Sequence, residues 1–473
     1  MPAPRRLRAR RSAALLLVPA LCACAPPRAP DLLLISVDTL RADRLGSYGN
    51  PLGLTPELDA LAAQSLLFES AFAPTSFTRP SVGALLSGRH PEEIGVTSNL
   101  APLPEQVPTL ATILRERGYR TAAVVSNAIL RADAGLARGF ERYDDRLEER
   151  ELSRAQPERS APNTTDAALA WLAHAAGDPR PFFLWVHYQD PHGPYTPPDA
   201  YRAAYRDAER LPGDPAELPL GGNNSGLHAL PPYQAIGAER EPAFYRAGYD
   251  GEVRLADEHI GRLLRGIERY SDPASLVIAF TADHGEALGE GGMWFAHASS
   301  LVDPLVRVPL LLRVPGRAPG RRSGIASLID LLPTLLASLG AEAPAGLLGR
   351  NLLARGADAV PAIAYFHALE PIPGRWVDHW GAASGGQRYY TIRKDAEQTD
   401  YARSDGQPLP ATAPAIAALR DSALRLRAEL ERRRLGPARA GPIPEADRRR
   451  LEALGYADPA PAPPPPRDGG DPR

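Results

Sequence analysis

The chain has 473 residues, 44% of them hydrophobic, and its 54 basic and 56 acidic residues leave a net charge of −2. Such a length and apolar content suit a large α/β domain with a smaller appended unit, and the charge balance argues against a general nucleic-acid binder. Its two cysteines, Cys22 and Cys24, both fall near the start, so the rest of the chain offers no disulfide, cysteine metal site or cysteine nucleophile.

The first residues, MPAPRRLRARRSAALLLVPALCAC, place Arg5, Arg6, Arg8, Arg10 and Arg11 before an apolar stretch too short to span a bilayer, which is the pattern of an export signal. Its end, Leu21-Cys22-Ala23-Cys24, resembles the lipobox of bacterial lipoproteins, with Cys24 as the lipidated first residue of the mature chain. A plain secretory signal with an incidental cysteine is the alternative. Loss of residues 1–23 leaves 49 basic against 56 acidic residues, a net charge of −7. The expectation is a bacterial cell-envelope lipoprotein, periplasmic or on the outer surface, held to a membrane through its lipid.

A continuous apolar run, Asp31–Val37, then reads as a buried parallel strand, and Asp38 follows it at once. Residues 55–68 read as an amphipathic helix opened by Thr55-Pro56-Glu57. In "APTSFTRPSVGALLSGRHP" a hydroxyl-rich loop runs into a helix beginning near Thr78, with Pro80 in its first turn. Thr78 is there either an N-cap or a hydroxyl set at an anion-attracting helix terminus. A helix over 110–117 precedes a strand over 121–125 that ends at Ser126-Asn127. A helix over 165–176 precedes a strand over 181–187, which empties into Tyr188-Gln189-Asp190-Pro191-His192. Residues 197–241 read as an irregular excursion over the substrate face, and a long helix is expected over 242–269. A strand over 275–280 runs into Thr281-Ala282-Asp283-His284-Gly285, followed by a strand over 308–314 and a helix over 327–339. Beyond about residue 344 the pattern changes to a short strand over 389–393, a polar helix over 414–434 and a proline-rich tail. The division expected is a lipoprotein signal at 1–23, a catalytic domain at 24–344, a C-terminal subdomain at 345–435 and a tail at 436–473. Alternating strands and helices imply a mostly parallel sheet flanked by helices.

Three apolar strands end in acids or histidines: Asp38, then Asp190 with His192, then Asp283 with His284. Joined by His297, they would set carboxylates and imidazoles along one sheet edge, a donor set suited to a transition metal. Asp283 and His284 are the firmest ligands on this reading, because acids beside buried strands are costly without a partner. Asp190 and His192 are open between loop capping and ligation. His90, His174, His228, His259, His367 and His379 lack such a setting and read as surface or packing residues.

The segments "DLLLISVDTLRADRLGSYG", "TRPSVGALLSGRHP", "GYRTAAVVSN", "DPHGPYTPP", "TADHGE" and "HASSLVDPLVRVPLLLRVPG" occur in the order and approximate spacing of the sulfatase family, within the alkaline phosphatase-like superfamily. The resemblance covers about residues 31–353. It implies an α/β sandwich, a metal beside a nucleophile at a helix N-terminus, and hydrolysis of sulfate or phosphate esters. The departures are specific. Sulfatases carry Cys or Ser, matured to formylglycine, in a Cys/Ser-x-Pro-x-Arg pattern, whereas this chain has Thr78-Arg79-Pro80-Ser81-Val82. The Gly-Lys-x-His signature of the family is replaced by Val125-Ser126-Asn127-Ala128, and a second sulfate-binding lysine would fall near Ala298. Lys394 is the only lysine in the chain. Paired aspartates of the family appear as Asp38-Thr39, and its Asp-Asn as Asp283-His284, a change toward imidazole that favours zinc or manganese over calcium.

The resemblance therefore implies Thr78 as nucleophile, Asp38, Asp283 and His284 as metal ligands, and Asp190, His192, His297 and Asn127 at a second metal or the substrate anion. Members with threonine nucleophiles are phosphodiesterases, phosphonate-type hydrolases and phosphoethanolamine or phosphoglycerol transferases. The expected activity is hydrolysis of an anionic ester, phosphodiester-type before sulfate, from a glycan- or lipid-derived substrate. The alternatives are such a transferase, an arylsulfatase-like enzyme, or an inactive protein that binds an anionic glycan.

Overall fold

In a computed structural model, residues 28–435 are described except 299, 357–362, 373–374, 395–396 and 405–406, together with Glu445. The expected signal, Cys24 and the proline-rich tail lie outside the described residues. No helix among the described residues is long and apolar enough to cross a membrane.

Nine strands form the central sheet: β1 (Asp31–Val37), β2 (Leu66–Phe72), β3 (Arg120–Val125), β4 (Arg142–Asp144), β5 (Phe182–Tyr188), β6 (Leu276–Ala282), β7 (Arg307–Val308), β8 (Leu310–Arg313) and β9 (Gly320–Ser327). They lie in the order β7-β2-β8-β6-β1-β5-β3-β4, with β9 also paired to β2. The run β6-β1-β5-β3-β4 is parallel throughout, and β7 and β8 run antiparallel to their neighbours. The sheet is thus mostly parallel, as its unbroken apolar runs require: in β1 every residue from Asp31 to Val37 is buried. The helices Ala161–His174 and Pro242–Ile267 supply partners for this core, and each buried Leu, Ile or Phe contributes roughly 1.5–3 kcal/mol.

Two expectations are corrected. The first helix covers only Pro56–Ala62, and the apolar run after it is strand β2, paired with β9 and β8. The end of an amphipathic helix and a fully buried strand present the same uninterrupted leucines, and only sheet pairing separates them. Beyond residue 344, a five-stranded antiparallel sheet from Ala364–Ile372 to Gln407–Pro408 stands where one short strand was expected. The helix Pro414–Arg432 covers it, packing Ile416, Leu419, Ala423 and Leu430 with Tyr365, Trp380 and Tyr389.

This C-terminal unit is bound to the larger one. The His367 N–H donates to the Pro74 carbonyl (2.9 Å), and the Phe72 and Phe366 rings meet at 5.5 Å. His367 lies between Glu92 (3.3 Å) and Asp378 (3.0 Å), and Arg433 pairs with Glu93 (3.3 Å).

Candidate active site

The parallel register places the site. Val37 pairs with Tyr188 on one side and Ala282 on the other, so β1, β5 and β6 end in step and Asp38 and Asp283 emerge side by side. Ligands of open α/β sheets gather at such carboxyl ends. Thr39 takes a left-handed conformation (φ 54°), which turns its N–H onto Asp283 Oδ1 (3.2 Å) and its carbonyl onto the Tyr249 hydroxyl (2.8 Å).

Asp38, Asp283 and His284 are all fully buried and close together, with His284 Nε2 3.7 Å from both Asp38 Oδ1 and Asp283 Oδ2. His187, at the end of the strand expected over 181–187, completes the group with Nε2 3.6 Å from Asp38 Oδ2. It is fixed from behind by Ser36 Oγ (2.8 Å from Nδ1), which in turn accepts from Trp185 Nε1 (2.9 Å). Asp38 Oδ1, Asp283 Oδ2 and His187 Nε2 are buried without a hydrogen-bond partner, and the three residues have ligand atoms within 4.8 Å of one another. Three orphaned polar atoms converging in a fully buried position are what a cation would satisfy. The electrostatics agree. Burial and the neighbouring Asp38 charge push the Asp283 carboxyl well above the ordinary range. Burial acts on Asp38 too, but the adjoining imidazoles of His187, His192 and His284 outweigh it and hold that carboxyl low.

Thr78 lies at the start of the helix Thr78–Ser87, fully buried. It is not the cap. Phe77 occupies that position, and the Arg79 N–H is instead satisfied by Asn99 Oδ1 (2.9 Å). The hydroxyl is thereby released to His284 Nε2, 3.3 Å away. Since His284 Nδ1 faces the Gly285 carbonyl (2.9 Å), which only accepts, Nδ1 carries the proton and Nε2 receives the Thr78 O–H. The same helix is tied to the ligand loop by Ser81, whose hydroxyl donates to the Asp283 carbonyl (2.6 Å). Gly285 admits no side chain, because a Cβ would stand 1.9 Å from the Pro304 carbonyl oxygen.

His297 and His192 join the ring of imidazoles, with His297 4.7 Å from His284 and 5.3 Å from His192 between centroids. His297 Nδ1 meets Glu286 Oε1 (3.2 Å), whose other oxygen accepts from Tyr195 (3.1 Å). Burial lowers the pKa of both His192 and His297, leaving neutral rings that can take or give a proton, and raises Glu286 to about 7. Asn127 is placed as a support rather than a ligand. Its Nδ2 donates to Asp38 Oδ2 (2.5 Å) while Oδ1 accepts from the Ile129 N–H (2.8 Å). Asp190 is not brought into the ring. Burial raises its carboxyl to about 6, against the lowering influence of its own backbone N–H and that of Ala161. Of the residues unassigned from sequence, His187 left one signal, a histidine in an otherwise apolar strand; Asn99, Ser81 and Glu286 left none.

A fully buried acid-histidine cluster beside a helix-terminal hydroxyl, at the carboxyl edge of a mostly parallel sheet, defines a hydrolase-type α/β architecture. The sequence profile of the Sulfatase family matches residues 30–341, and the chain belongs to that family. It is 29% identical over 334 residues to human iduronate 2-sulfatase, a match covering 61% of this chain and 60% of that protein. The chain thus spans about three fifths of the length of that relative. Among solved structures, the fold resembles a protein crystallised with its substrate D-glucosamine-2-N,6-O-disulfate (TM-score 0.69, 19% identity, 86% of this chain and 98% of that one). It also resembles the phosphonate monoester hydrolase of Silicibacter pomeroyi (TM-score 0.65, 20% identity, 88% and 99%).

Proposed function

We propose that this protein is a metal-dependent hydrolase of anionic esters in which Thr78 is the nucleophile and phosphoesters, diesters in particular, are preferred to sulfates. The observation that carries the reading is the placement of the Thr78 hydroxyl. It is relieved of capping by Asn99, hydrogen-bonded to His284 Nε2, and set beside the orphaned atoms of Asp38, His187 and Asp283. Those three residues would hold a divalent cation, and two carboxylates with an imidazole favour zinc or manganese over calcium; His284, expected as a ligand, has its one unprotonated nitrogen turned to the Thr78 hydroxyl and is left as the base. When bound, such a cation supplies charge neutralisation and Lewis acidity at the ester oxygens.

The chain's own groups account for the rest. His284 Nε2 accepts the Thr78 proton as Oγ1 attacks phosphorus; the bond to the leaving oxygen breaks, and that proton is relayed from His284 through the neighbouring imidazoles to the leaving oxygen, which departs as an alcohol. Water then cleaves the phosphothreonine and returns the hydroxyl. His192 and His297, held neutral by burial, suit that proton traffic, and Glu286 keeps the His297 ring in place. Sulfatases release sulfate through the gem-diol of formylglycine, which threonine cannot form; a phosphothreonine needs no such device. The deciding experiment is metal analysis of the purified protein together with turnover of aryl sulfate, phosphate monoester, phosphodiester and phosphonate monoester substrates. Phosphodiester or phosphonate turnover above aryl sulfate turnover is expected, and the reverse order refutes the preference.

A further inference from the structure

Part of the irregular excursion expected over 197–241 runs alongside the segment that carries His297. The Trp294 N–H donates to the Gly226 carbonyl (2.8 Å), the His228 N–H to the Gly292 carbonyl (2.7 Å), and Leu227 forms a β-bridge with Met293. A few residues on, the Tyr233 hydroxyl and the Gln234 side-chain amide donate to one acceptor, the Phe295 carbonyl, each at 3.1 Å. A carbonyl only accepts, so the Gln234 nitrogen faces it and the orientation of the amide is fixed.

Three unfavourable features meet at this contact. Phe295 (φ 50°) and Ala298 (φ 74°) are left-handed although neither is glycine, and His297 lies between them. A residue with a Cβ enters that region at a cost and stays there only where its surroundings hold it. Phe295 is so held, fully buried with its ring against Tyr195 (6.0 Å) and Tyr245 (5.3 Å). The third feature is Gln234 itself, which is fully buried with no hydrogen-bond partner for Oε1. An orphaned acceptor is a cost that a hydrocarbon of the same shape would avoid. The other side of the same amide packs on Gly193, where a Cβ would stand 2.1 Å from Nε2 and 2.2 Å from Oε1 and would displace it. Gly193 follows His192, and its carbonyl accepts from His192 Nδ1 (2.8 Å). One side chain thus touches the backbone two residues before His297 and one residue after His192, whose rings stand 5.3 Å apart.

We propose that Gln234 is a positioning residue that sets the spacing of His192 and His297 for the reaction. It is a spacer between two stretches of backbone and does not touch the ester. Its bond to the Phe295 carbonyl, doubled by that of Tyr233, keeps the left-handed backbone around His297 from relaxing. Stability alone would favour an apolar side chain at this position; the placement of the two imidazoles requires the amide. The inference takes the use of those imidazoles from the ester-hydrolase reading, but the first arm of its test needs no turnover.

The test compares the full chain, supplied with zinc, with Gln234→Met, which keeps the length of the side chain and removes the donor. Labelling by diethyl pyrocarbonate, followed peptide by peptide in the mass spectrometer, should modify His192 and His297 at least about threefold faster in the variant, because a relaxed backbone opens both rings to solvent. Exposed His174 is the internal standard and should not change. For the best ester, kcat should fall at least about tenfold while KM stays within about threefold, the signature of misplaced groups and not of lost substrate binding. Tyr233→Phe removes the second donor and should move both readings the same way by less, so it carries the test if Gln234→Met does not fold. Labelling of His297 that is unchanged, or that rises in step with His174, overturns the proposal, as does a kcat within about twofold of the unaltered enzyme. If labelling shifts as expected while the unaltered protein hydrolyses no ester with any metal, the hydrolase reading fails and the placement of the imidazoles by Gln234 stands.

Discussion

Thr78→Ala separates a nucleophile from a structural hydroxyl, and the structure sets the scale of both effects. The substitution removes one hydrogen bond to a neutral imidazole, about 1 kcal/mol, and one buried methyl group, about 1 kcal/mol. It removes no cap, because Phe77 holds the cap position and Asn99, not Thr78, satisfies the Arg79 N–H. The folded state should therefore lose no more than about 2 kcal/mol, measured by urea denaturation, and metal content should hold. Turnover of the best ester should fall by about a thousandfold or more, equivalent to about 4 kcal/mol at the transition state. Thr78→Ser keeps the attacking oxygen and should retain most of what alanine loses. Acid quenching of the unaltered enzyme in mid-turnover should trap phosphate on the peptide that contains Thr78. A Thr78→Ala protein keeping more than a tenth of the activity, or a trapped group on another residue, refutes the mechanism.

His187→Gln should lower zinc or manganese affinity at least about tenfold in a chelator competition, and exhaustive chelation of the unaltered protein should abolish turnover until the metal is returned; full metal content in the variant removes His187 from the ligand set. Gly285→Ala should cost about 3 kcal/mol of stability and lower metal content with it, since the clash is with a backbone carbonyl that cannot rotate away, and unchanged denaturation would show the loop to be pliant. Burial disfavours the charged form of His367, but the charges of Glu92 and Asp378 outweigh it and raise its pKa above the ordinary 6.5. Its stabilising contribution is thus complete below that value and is lost as pH rises through the higher folded-state value, so the unfolding free energy should fall across that interval more steeply than in His367→Gln; parallel profiles would show that this network carries no pH dependence.

What could be read from sequence was what is local. Asp38, Asp283 and His284 each sit one or two residues past a run of buried apolar side chains, and that adjacency alone places them at a sheet edge. The parallel core was visible for the same reason. Strand β2 was not, because its leucines continue the apolar pattern of the preceding helix, and the C-terminal sheet was not, because its strands pair only with one another across turns. His187 was not, because its place beside Asp38 depends on registry with Ser36 of another strand. Asn99 and Glu286 act through partners 20 and 11 residues away, distances at which no periodicity speaks.

The contact between the His367 N–H and the Pro74 carbonyl has a further reach. Pro74 begins the short segment that delivers Thr78, and the next hydroxylated residues, Thr75 and Ser76, are buried, with Ser76 Oγ donating to the Ser300 carbonyl (2.9 Å). The approach to Thr78, the proposed nucleophile, is thus pinned from two directions by chain that follows it by more than two hundred residues. A boundary drawn near residue 344, natural as it is from composition, does not mark the edge of a minimal enzyme. Shortening the protein there would leave every proposed ligand and the proposed nucleophile in the polypeptide while removing the brace that aims one at the others, so trimming of this chain must carry the distal sheet along with Thr78.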